Sequence, residues 1–156
     1  MIIINVFILD SDMRQSIIYH PDKHIVKMPI ESAQLLCNAF YITNNIPKNI
    51  YKPSHWNHPL TKWVCESLNN WLWLAEYTLL MGDEYTFRYG KKHKSVEMVK
   101  KFTIPELPII GMTPFIKCVP EEFKNLDVVD AYRSYFIRDK QHLKKYTKRD
   151  ILSWWV

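Results

Sequence analysis

Glycine is scarce in this sequence: only three of the 156 residues are glycine. Phosphate-binding loops of the Walker type, dinucleotide-binding loops and the nucleophile elbow of hydrolases all depend on closely spaced glycines, and the chain contains none of these motifs. Kinase and hydrolase functions of those types are therefore excluded. Because Leu, Trp, Tyr, Lys and Glu are frequent while glycine is rare, the composition favours helices over sheets.

Cysteine is also scarce. The three cysteines, Cys37, Cys65 and Cys118, are odd in number, widely spaced and set among apolar residues. That pattern fits neither a disulfide framework nor a zinc site, and the pair His55 and His58 lacks a third and a fourth ligand at a recognisable spacing. We therefore expect an intracellular protein of a reducing compartment that uses no metal and no cofactor.

No long hydrophobic run is present. Residues 63–81 are apolar but interrupted by two glutamates and two asparagines, so no segment reaches the roughly 18 apolar residues of a membrane span. The apolar run 2–9 has no basic residue before it and is followed by Asp10 and Asp12, unlike a secretory signal. We expect no membrane partner, and we expect residues 2–9 to form a buried strand.

Hydrophobic residues are abundant enough for one large core. They make up 47% of the chain, which at this length predicts a single domain over residues 1–156. The predicted fold class is mainly α, a compact single-domain helical bundle with one short N-terminal strand that pairs near residues 104–114. Helices are predicted over about residues 22–42, from 59 or 60 to 89 with Gly90 at the end, 95–102 and 126–146, with prolines breaking residues 102–120.

A narrow polar stripe crosses the first long helix. At about 100° per residue, five polar side chains of residues 24–41 fall within an arc of roughly 80°. An ordinary surface helix has a much wider polar face, so the stripe suits the wall of a cleft, or else a small solvent window on a buried helix. Pro29 leaves two alternatives, a kinked but continuous helix or a helix that begins at Pro29. The stripe consists of His24, Lys27, Glu31, Gln34 and Asn38.

The stripe carries the residue types that acid and base catalysis needs. Apolar neighbours push the pKa of a carboxyl such as Glu31 upward, and a histidine such as His24 titrates near neutrality. Glu31, His24 and Lys27 are therefore the candidate catalytic residues, with Gln34 positioning the substrate. A plain salt bridge between Lys27 and Glu31, four residues apart, is the alternative.

Residues 84–93 form a second candidate cluster. Here Arg88 and Lys91 are predicted to hold phosphate while Tyr85 stacks on a base, with His93 beside them. The alternative is structural, because Glu84 and Arg88 are spaced to pair on one face of a helix.

The excess positive charge lies near the C-terminus. Residues 131–150 contain seven Lys or Arg and two Asp, which accounts for the whole formal net charge of +5. Such a segment, interleaved with tyrosines, suits a polyanion, and we expect Arg133 and Lys145 to contact phosphate. His58 is a further candidate, since it precedes a helix starting at Pro59, where free N–H groups attract anions. Capping that helix is its alternative role.

Four short motifs within about residues 22–93 together resemble the phage-type pyrimidine-dimer DNA glycosylases. The resemblance implies a compact helical fold that grips kinked DNA and a Glu31 carboxylate that assists cleavage of the glycosidic bond, with His24 supporting the site or contacting the DNA backbone. The motifs are Asp22-Lys23-His24-Ile25, Glu31 seven residues after that histidine, His58-Pro59 leading into a helix with Trp63, and Glu84-Tyr85 before Arg88 and His93.

The nucleophile of that family is a free N-terminal α-amine that forms a Schiff base. This sequence starts with Met1 and Ile2, and the bulky Ile2 should block removal of Met1. Either Met1 itself supplies the amine, or Lys23 or Lys27 replaces it, or the protein lacks lyase activity. A lysine amine needs a depressed pKa for this role, which burial can provide.

The sequence as a whole favours a metal-independent DNA N-glycosylase, with AP-lyase activity as an open addition, that acts on a damaged or modified pyrimidine in double-stranded DNA. Extruding a nucleotide costs a few kcal/mol, which aromatic and basic residues can offset. One alternative is a non-catalytic nucleotide or nucleic-acid binding protein in which Lys27 and Arg88 clamp phosphates. The other is a protein interaction module with a Trp-rich surface.

Overall fold

Six α-helices form the framework of residues 4–156, which are the residues that the computed structural model describes. The prediction of a mainly α protein is confirmed. The long helices α2 and α4 pack against each other, α3 and α5 each contact both of them, and α1 lies on α4. Within this part of the chain, none of the helices has both the length and the apolar character that crossing a membrane requires. The helices are α1 (Met13–Ile18), α2 (Asp22–Ile42), α3 (Pro59–Glu66), α4 (Leu68–Tyr89), α5 (Lys94–Val99) and α6 (Val128–Asp139), with 3₁₀ turns at Glu121–Phe123 and Gln141–Leu143.

α2 is one continuous helix that contains Pro29. The prediction of a helix over residues 22–42 is confirmed, and the alternative that it begins at Pro29 is wrong. A proline inside a helix costs about 3 kcal/mol, but burying an Ile or Leu side chain contributes about 1.5–3 kcal/mol. Because Ile25, Leu35 and Leu36 are all fully buried on α2, packing outweighs the proline. The polar stripe therefore keeps all of its members on one helix.

Capping residues set the ends of α3 and α4. The region predicted as one helix is divided at Ser67, whose backbone is extended at φ −147° and whose hydroxyl accepts a hydrogen bond from the Asn69 N–H at 3.1 Å. α4 then continues through Gly82 to Tyr89, and Gly90 caps its end, as predicted for that glycine. Gly90 has φ +70°, a left-handed conformation that glycine adopts at no steric cost.

The predicted N-terminal strand is absent from the described residues. Residues 4–9 are buried but form no strand, and residues 10–156 contain none with which they could pair. A buried backbone still needs its hydrogen bonds satisfied, and here helical side chains satisfy them in place of a neighbouring strand. Residues 2 and 3 of the predicted strand lie outside the described residues. The bonds run from the Asn5 N–H to Glu31, from the Leu9 N–H to Ser16, from the Tyr77 hydroxyl to the Phe7 carbonyl and from Arg133 to the Leu9 carbonyl.

The C-terminal residues fold back onto the bundle. α6 ends at Asp139, well before the predicted residue 146, and the chain after it returns to place Trp155 in the core with 1% of its surface exposed. The Trp155 and Phe136 rings are 5.3 Å apart between centroids. The apolar end of the sequence therefore docks, as expected.

Gly82 lies directly against Val96 of α5. A Cβ at position 82 would be 2.5 Å from Val96 Cγ1, so we expect Gly82→Ala to lower the free energy of unfolding by about 1–3 kcal/mol although alanine is the better helix former. When Val96 is already replaced by alanine, Gly82→Ala should cost much less, because the crowding methyl groups are absent. Urea denaturation of Val96→Ala and of Gly82→Ala/Val96→Ala measures that smaller cost. A stabilising Gly82→Ala would contradict this packing of α4 on α5.

Candidate active site

Glu31 is a buried carboxylate with one oxygen hydrogen-bonded to the backbone and the other facing Lys27. Only 4% of the residue is exposed. Its Oε1 accepts a hydrogen bond from the Asn5 backbone N–H at 2.9 Å, whereas the buried Oε2 has no hydrogen-bond partner in residues 4–156. Most buried polar atoms in folded proteins are paired, so Oε2 stands out as an atom with the capacity to bind a proton or a ligand.

Lys27 and Glu31 form an asymmetric ion pair. Lys27 Nζ lies 3.4 Å from Glu31 Oε2, with 57% of the lysine side chain exposed and 5% of the glutamate side chain. Burial raises the pKa of Glu31, and the Asn5 N–H and the charges of Lys27 and His55 oppose that rise. The pair thus contains the salt bridge that spacing alone predicts and also a carboxyl whose raised pKa suits proton transfer.

His24 is neutral in this structure, and it does not titrate near neutrality as its sequence context suggested. It is 5% exposed, and its ring stacks on Phe7 with 4.5 Å between centroids. Burial lowers the pKa of His24 to about 2. His24 therefore carries no charge for a phosphate at neutral pH, while its buried Nδ1 has no hydrogen-bond partner in the described chain.

His20 lies beside His24 and is equally buried. Its Nδ1 is 2.8 Å from the Ser16 carbonyl oxygen, a distance at which Nδ1–H donates. Burial lowers the pKa of His20 to about 4, and the two imidazole centroids are 6.3 Å apart. Two uncharged histidines therefore lie at the N-terminal end of α2, with His20 just before the helix and His24 in its first turn.

The loop before α3 is fixed to α2 by Asn38, the last member of the polar stripe. Asn38 is fully buried, and its Nδ2 donates to the Ser54 carbonyl at 2.8 Å. Thr61 Oγ1 donates to the carbonyl of His55 at 2.7 Å, and His55 has φ +51°. Asn38 thus holds the loop whose His55 acts electrostatically on Glu31.

Sequence reasoning missed two residues of the Glu31 site. The local sequence marks His55 only as half of the pair with His58. Asn5 contacts Glu31 across 26 positions, and no local pattern marks such a contact. Gln34, which sequence reasoning did include, is half-buried on α2 and follows Glu31 by one turn, a spacing that places both side chains on one helix face.

Arg88 belongs to a buried ion-pair network, which corrects its prediction as a phosphate ligand. Its side chain is fully buried. Nε donates to Glu84 at 2.7 Å, Nη1 donates to Asp22 at 3.1 Å, and two backbone carbonyls accept further hydrogen bonds from the guanidinium. Arg149 donates two more bonds to Glu84, at 2.9 and 2.7 Å. A phosphate at the surface therefore cannot reach Arg88. Its role is the structural one, pairing with Glu84, that was the alternative from the sequence.

His58 and His93 both cap helices, which was the alternative role for His58. The Nδ1 atom of each accepts a backbone N–H at the start of α3 and α5, at 3.1 and 3.2 Å respectively. Because Nδ1 of His93 accepts, Nε2 carries the hydrogen and donates to the Val26 carbonyl at 2.8 Å. Tyr85 is half-buried, with its ring 4.8 Å from His93 and 5.2 Å from Tyr89, so it packs against two other rings of the protein.

The remaining predicted phosphate ligands differ in their availability. Arg133 is occupied internally, since Nε donates to the Leu9 carbonyl at 2.7 Å and Nη2 to Asp10 at 2.8 Å. Lys91 and Lys145 are exposed. Only the two lysines of this set therefore remain accessible to a ligand.

Neither lysine proposed as an amine nucleophile is buried. Lys23 is exposed and 57% of the Lys27 side chain is exposed, so neither has the buried position expected of an amine nucleophile. Met1 lies outside the described residues. Within residues 4–156, no three His, Cys, Asp or Glu side chains are close enough to hold a metal ion.

No protein-family model, curated protein or solved structure matches this chain. The chemistry of the site therefore rests on its side chains alone. Those side chains comprise one buried carboxylate with a raised pKa, one exposed cation beside it, and a neutral histidine near the start of the same helix.

Proposed function

We propose that this protein is a metal-independent DNA glycosylase that cleaves the N-glycosidic bond of a damaged or modified pyrimidine, with Glu31 as acid and base. The observation that carries the proposal is the Glu31 carboxyl group, whose Oε1 is anchored by the Asn5 N–H while the buried Oε2 has no hydrogen bond. Burial raises its pKa, so the group can hold a proton for transfer and take one back.

The proposed hydrolysis uses the Glu31 carboxyl group twice, first as an acid and then as a base. Protonated Glu31 gives its proton to the carbonyl oxygen of the pyrimidine as the bond between the base and C1′ breaks, and the bonding electrons leave with the base. Water then adds to C1′, and the carboxylate takes the water's proton. The products are the free base and an abasic site, and Glu31 returns to its starting state.

The neighbours of Glu31 have separate roles in this proposal. Lys27, on an exposed and flexible stem, moves aside as the substrate reaches Oε2 and then contacts the DNA backbone. Neutral His24 supports the wall of the site, since a buried uncharged ring adds no competing charge. Gln34, one turn further along α2, offers an amide that can hydrogen-bond the extruded base.

The test compares Glu31→Gln with the native protein on duplexes that contain a thymine dimer, uracil or an abasic site. We expect base release to fall by about 10²–10⁴-fold, the usual contribution of a general acid or base. Glu76→Gln, which changes an exposed glutamate of α4, is the matched control and should retain full activity. Borohydride added during the reaction traps any Schiff base, and mapping the adduct identifies the amine.

Stability distinguishes a lost catalyst from a lost fold. The side-chain amide introduced by Glu31→Gln keeps an oxygen for the Asn5 N–H, and the folded pKa of Glu31 lies above its ordinary value of 4.5. Above that folded pKa, the ionisation of Glu31 therefore lowers the free energy of unfolding, whereas below pH 4.5 it has no such effect. We therefore expect Glu31→Gln to be at least as stable as the native protein at pH 7. Base release that persists in folded Glu31→Gln would overturn the role of Glu31.

Other outcomes discriminate among the alternatives. Salt-sensitive DNA binding without base release would favour a non-catalytic nucleic-acid binding protein, and no DNA affinity at low salt would remove both nucleic-acid functions. The tryptophans give little support to a protein interaction module. Trp63, Trp71 and Trp155 are buried, whereas Trp56 is 45% exposed. Trp73 and Trp154 are half-buried.

A further inference from the structure

A second candidate site lies between α5 and the loop that follows α2. The cleft there has a volume of about 380 Å³ and is lined by four lysines, one glutamate and a set of apolar side chains. All four lysines are exposed, whereas the apolar residues are half-buried. The lysines are Lys48, Lys92, Lys94 and Lys101, and the apolar residues are Pro47, Ile50, Met98 and Phe102.

The positive charge of this lysine cleft is largely unbalanced. Its one acidic lining residue, Glu97, already pairs with Lys100 at 2.8 Å and Lys92 at 3.8 Å. Lys48, Lys94 and Lys101 have no carboxylate within 4.0 Å in the described part of the chain. Mutual repulsion of these ammonium groups is relieved when an anion enters the cleft.

We propose that the lysine cleft binds the phosphodiester backbone of double-stranded DNA. An exposed lysine gains little from a single anion, because water and salt screen the contact. A ligand that presents several phosphates together contacts several lysines at once, and each contact releases condensed counterions. The exposed lysines on both sides of the cleft therefore suit a polyanion better than a small anion.

The cleft is also connected to the Glu31 site. His93 Nε2 donates to the Val26 carbonyl at 2.8 Å, which ties the start of α5 to α2. His93 lies between Lys92 and Lys94 in the sequence, and Val26 precedes Lys27. This contact brings the segment that carries Lys92 and Lys94 next to the segment that carries Lys27, and the proposed DNA duplex extends across both. The inference rests on the proposed function in taking DNA as the ligand.

The experiment measures binding of an undamaged, fluorescently labelled duplex over a range of salt concentrations. The test variant is Lys48→Gln/Lys94→Gln/Lys101→Gln. The control variant, Arg14→Gln/Lys62→Gln/Lys124→Gln, makes the same charge change at exposed positions elsewhere. We expect the test variant to reduce the slope of log affinity against log salt by about 2–3, since each phosphate contact contributes about 0.9. The control should keep the native slope.

The outcomes separate this inference from the function of Glu31. Undamaged DNA is bound without bond cleavage, so the measured slope does not depend on the chemistry assigned to Glu31. An unchanged slope in the test variant, or an equal fall in the control, would overturn the lysine cleft whether or not base release occurs. Tight binding of thymidine monophosphate that the test variant abolishes, with duplex binding unaltered, would also overturn it in favour of a small-ligand site.

Discussion

Acidification from pH 7 to pH 4 is expected to lower the free energy of unfolding by about 6 kcal/mol through His20 and His24 alone. Burial holds the folded pKa of His20 at about 4 and that of His24 at about 2, against an ordinary value of 6.5. A lowered histidine pKa gives stability that is present above pH 6.5 and is lost as pH falls toward the folded pKa. Each pH unit costs about 1.4 kcal/mol per histidine, which is large against a typical total of about 5–15 kcal/mol.

The neighbouring charges modify this loss without reversing it. The charges of Lys27, Lys140 and His142 add to the lowering of the His24 pKa, and Arg88 adds to that of His20 while Glu84 opposes it. Glu31 acts in the opposite direction, because its raised folded pKa favours the folded state as the carboxyl becomes protonated. Protonation of Glu31 therefore offsets part of the stability lost through the two histidines, in the interval just above pH 4.5.

Urea denaturation at pH 7, 6, 5 and 4 measures the effect. His20→Asn retains a donor near the position of Nδ1, and it should reduce the pH slope by about 1.4 kcal/mol per unit between pH 6 and pH 5. His142→Gln changes an exposed histidine and removes only the smallest of the named contributions to the lowered pKa of His24, so it should leave the slope as in the native protein. A free energy of unfolding that stays flat from pH 6.5 to pH 4.5 would mean that neither histidine is held neutral in the fold.

Arg88→Met is expected to lower the free energy of unfolding by about 3–5 kcal/mol, the usual cost of removing one partner from a buried ion pair. Arg88 joins Glu84 of its own helix to Asp22 at the start of α2, through bonds of 2.7 and 3.1 Å. Its removal leaves both carboxylates short of a partner and leaves two backbone carbonyls unpaired. Arg149 and Thr147 keep part of the network in place.

Urea denaturation at pH 7, with folding checked by circular dichroism, measures this cost. Lys91→Met, three residues further on and exposed, should change stability by less than about 0.5 kcal/mol. If Arg88→Met does not fold, Asp22→Asn provides a milder break of the same network, with an expected cost of about 1–3 kcal/mol. Unchanged stability together with weakened DNA binding would instead place Arg88 at a phosphate.

The two predictions concern residues that the sequence presented as functional. His24 and Arg88 both occur in the motifs that resemble the glycosylase family, and both are buried in this fold. Arg88 and Glu84 bond to each other and to distant segments, so the tertiary structure assigns them to the framework. Glu31 is the motif residue whose geometry still suits chemistry, because its Oε2 is left without a hydrogen bond.

The sequence by itself determined the helices whose signals are local. The 3.6-residue periodicity of α2, the proline at the start of α3 and the glycine at the end of α4 all act within a few residues of the structure that they specify. The polar stripe and the candidacy of Glu31 follow from the same periodicity. The stripe's members were therefore predictable, although their individual roles were not.

Only the tertiary structure decided which polar groups are occupied. Asn5 reaches Glu31 across 26 positions, Arg88 reaches the Ile18 carbonyl across 70, and residues 4–9 bond to helical side chains where a strand was expected. A charged side chain has the same local sequence whether a distant segment later pairs with it or leaves it free. Burial and pairing, which set its pKa and its access to a ligand, arise only when the segments pack.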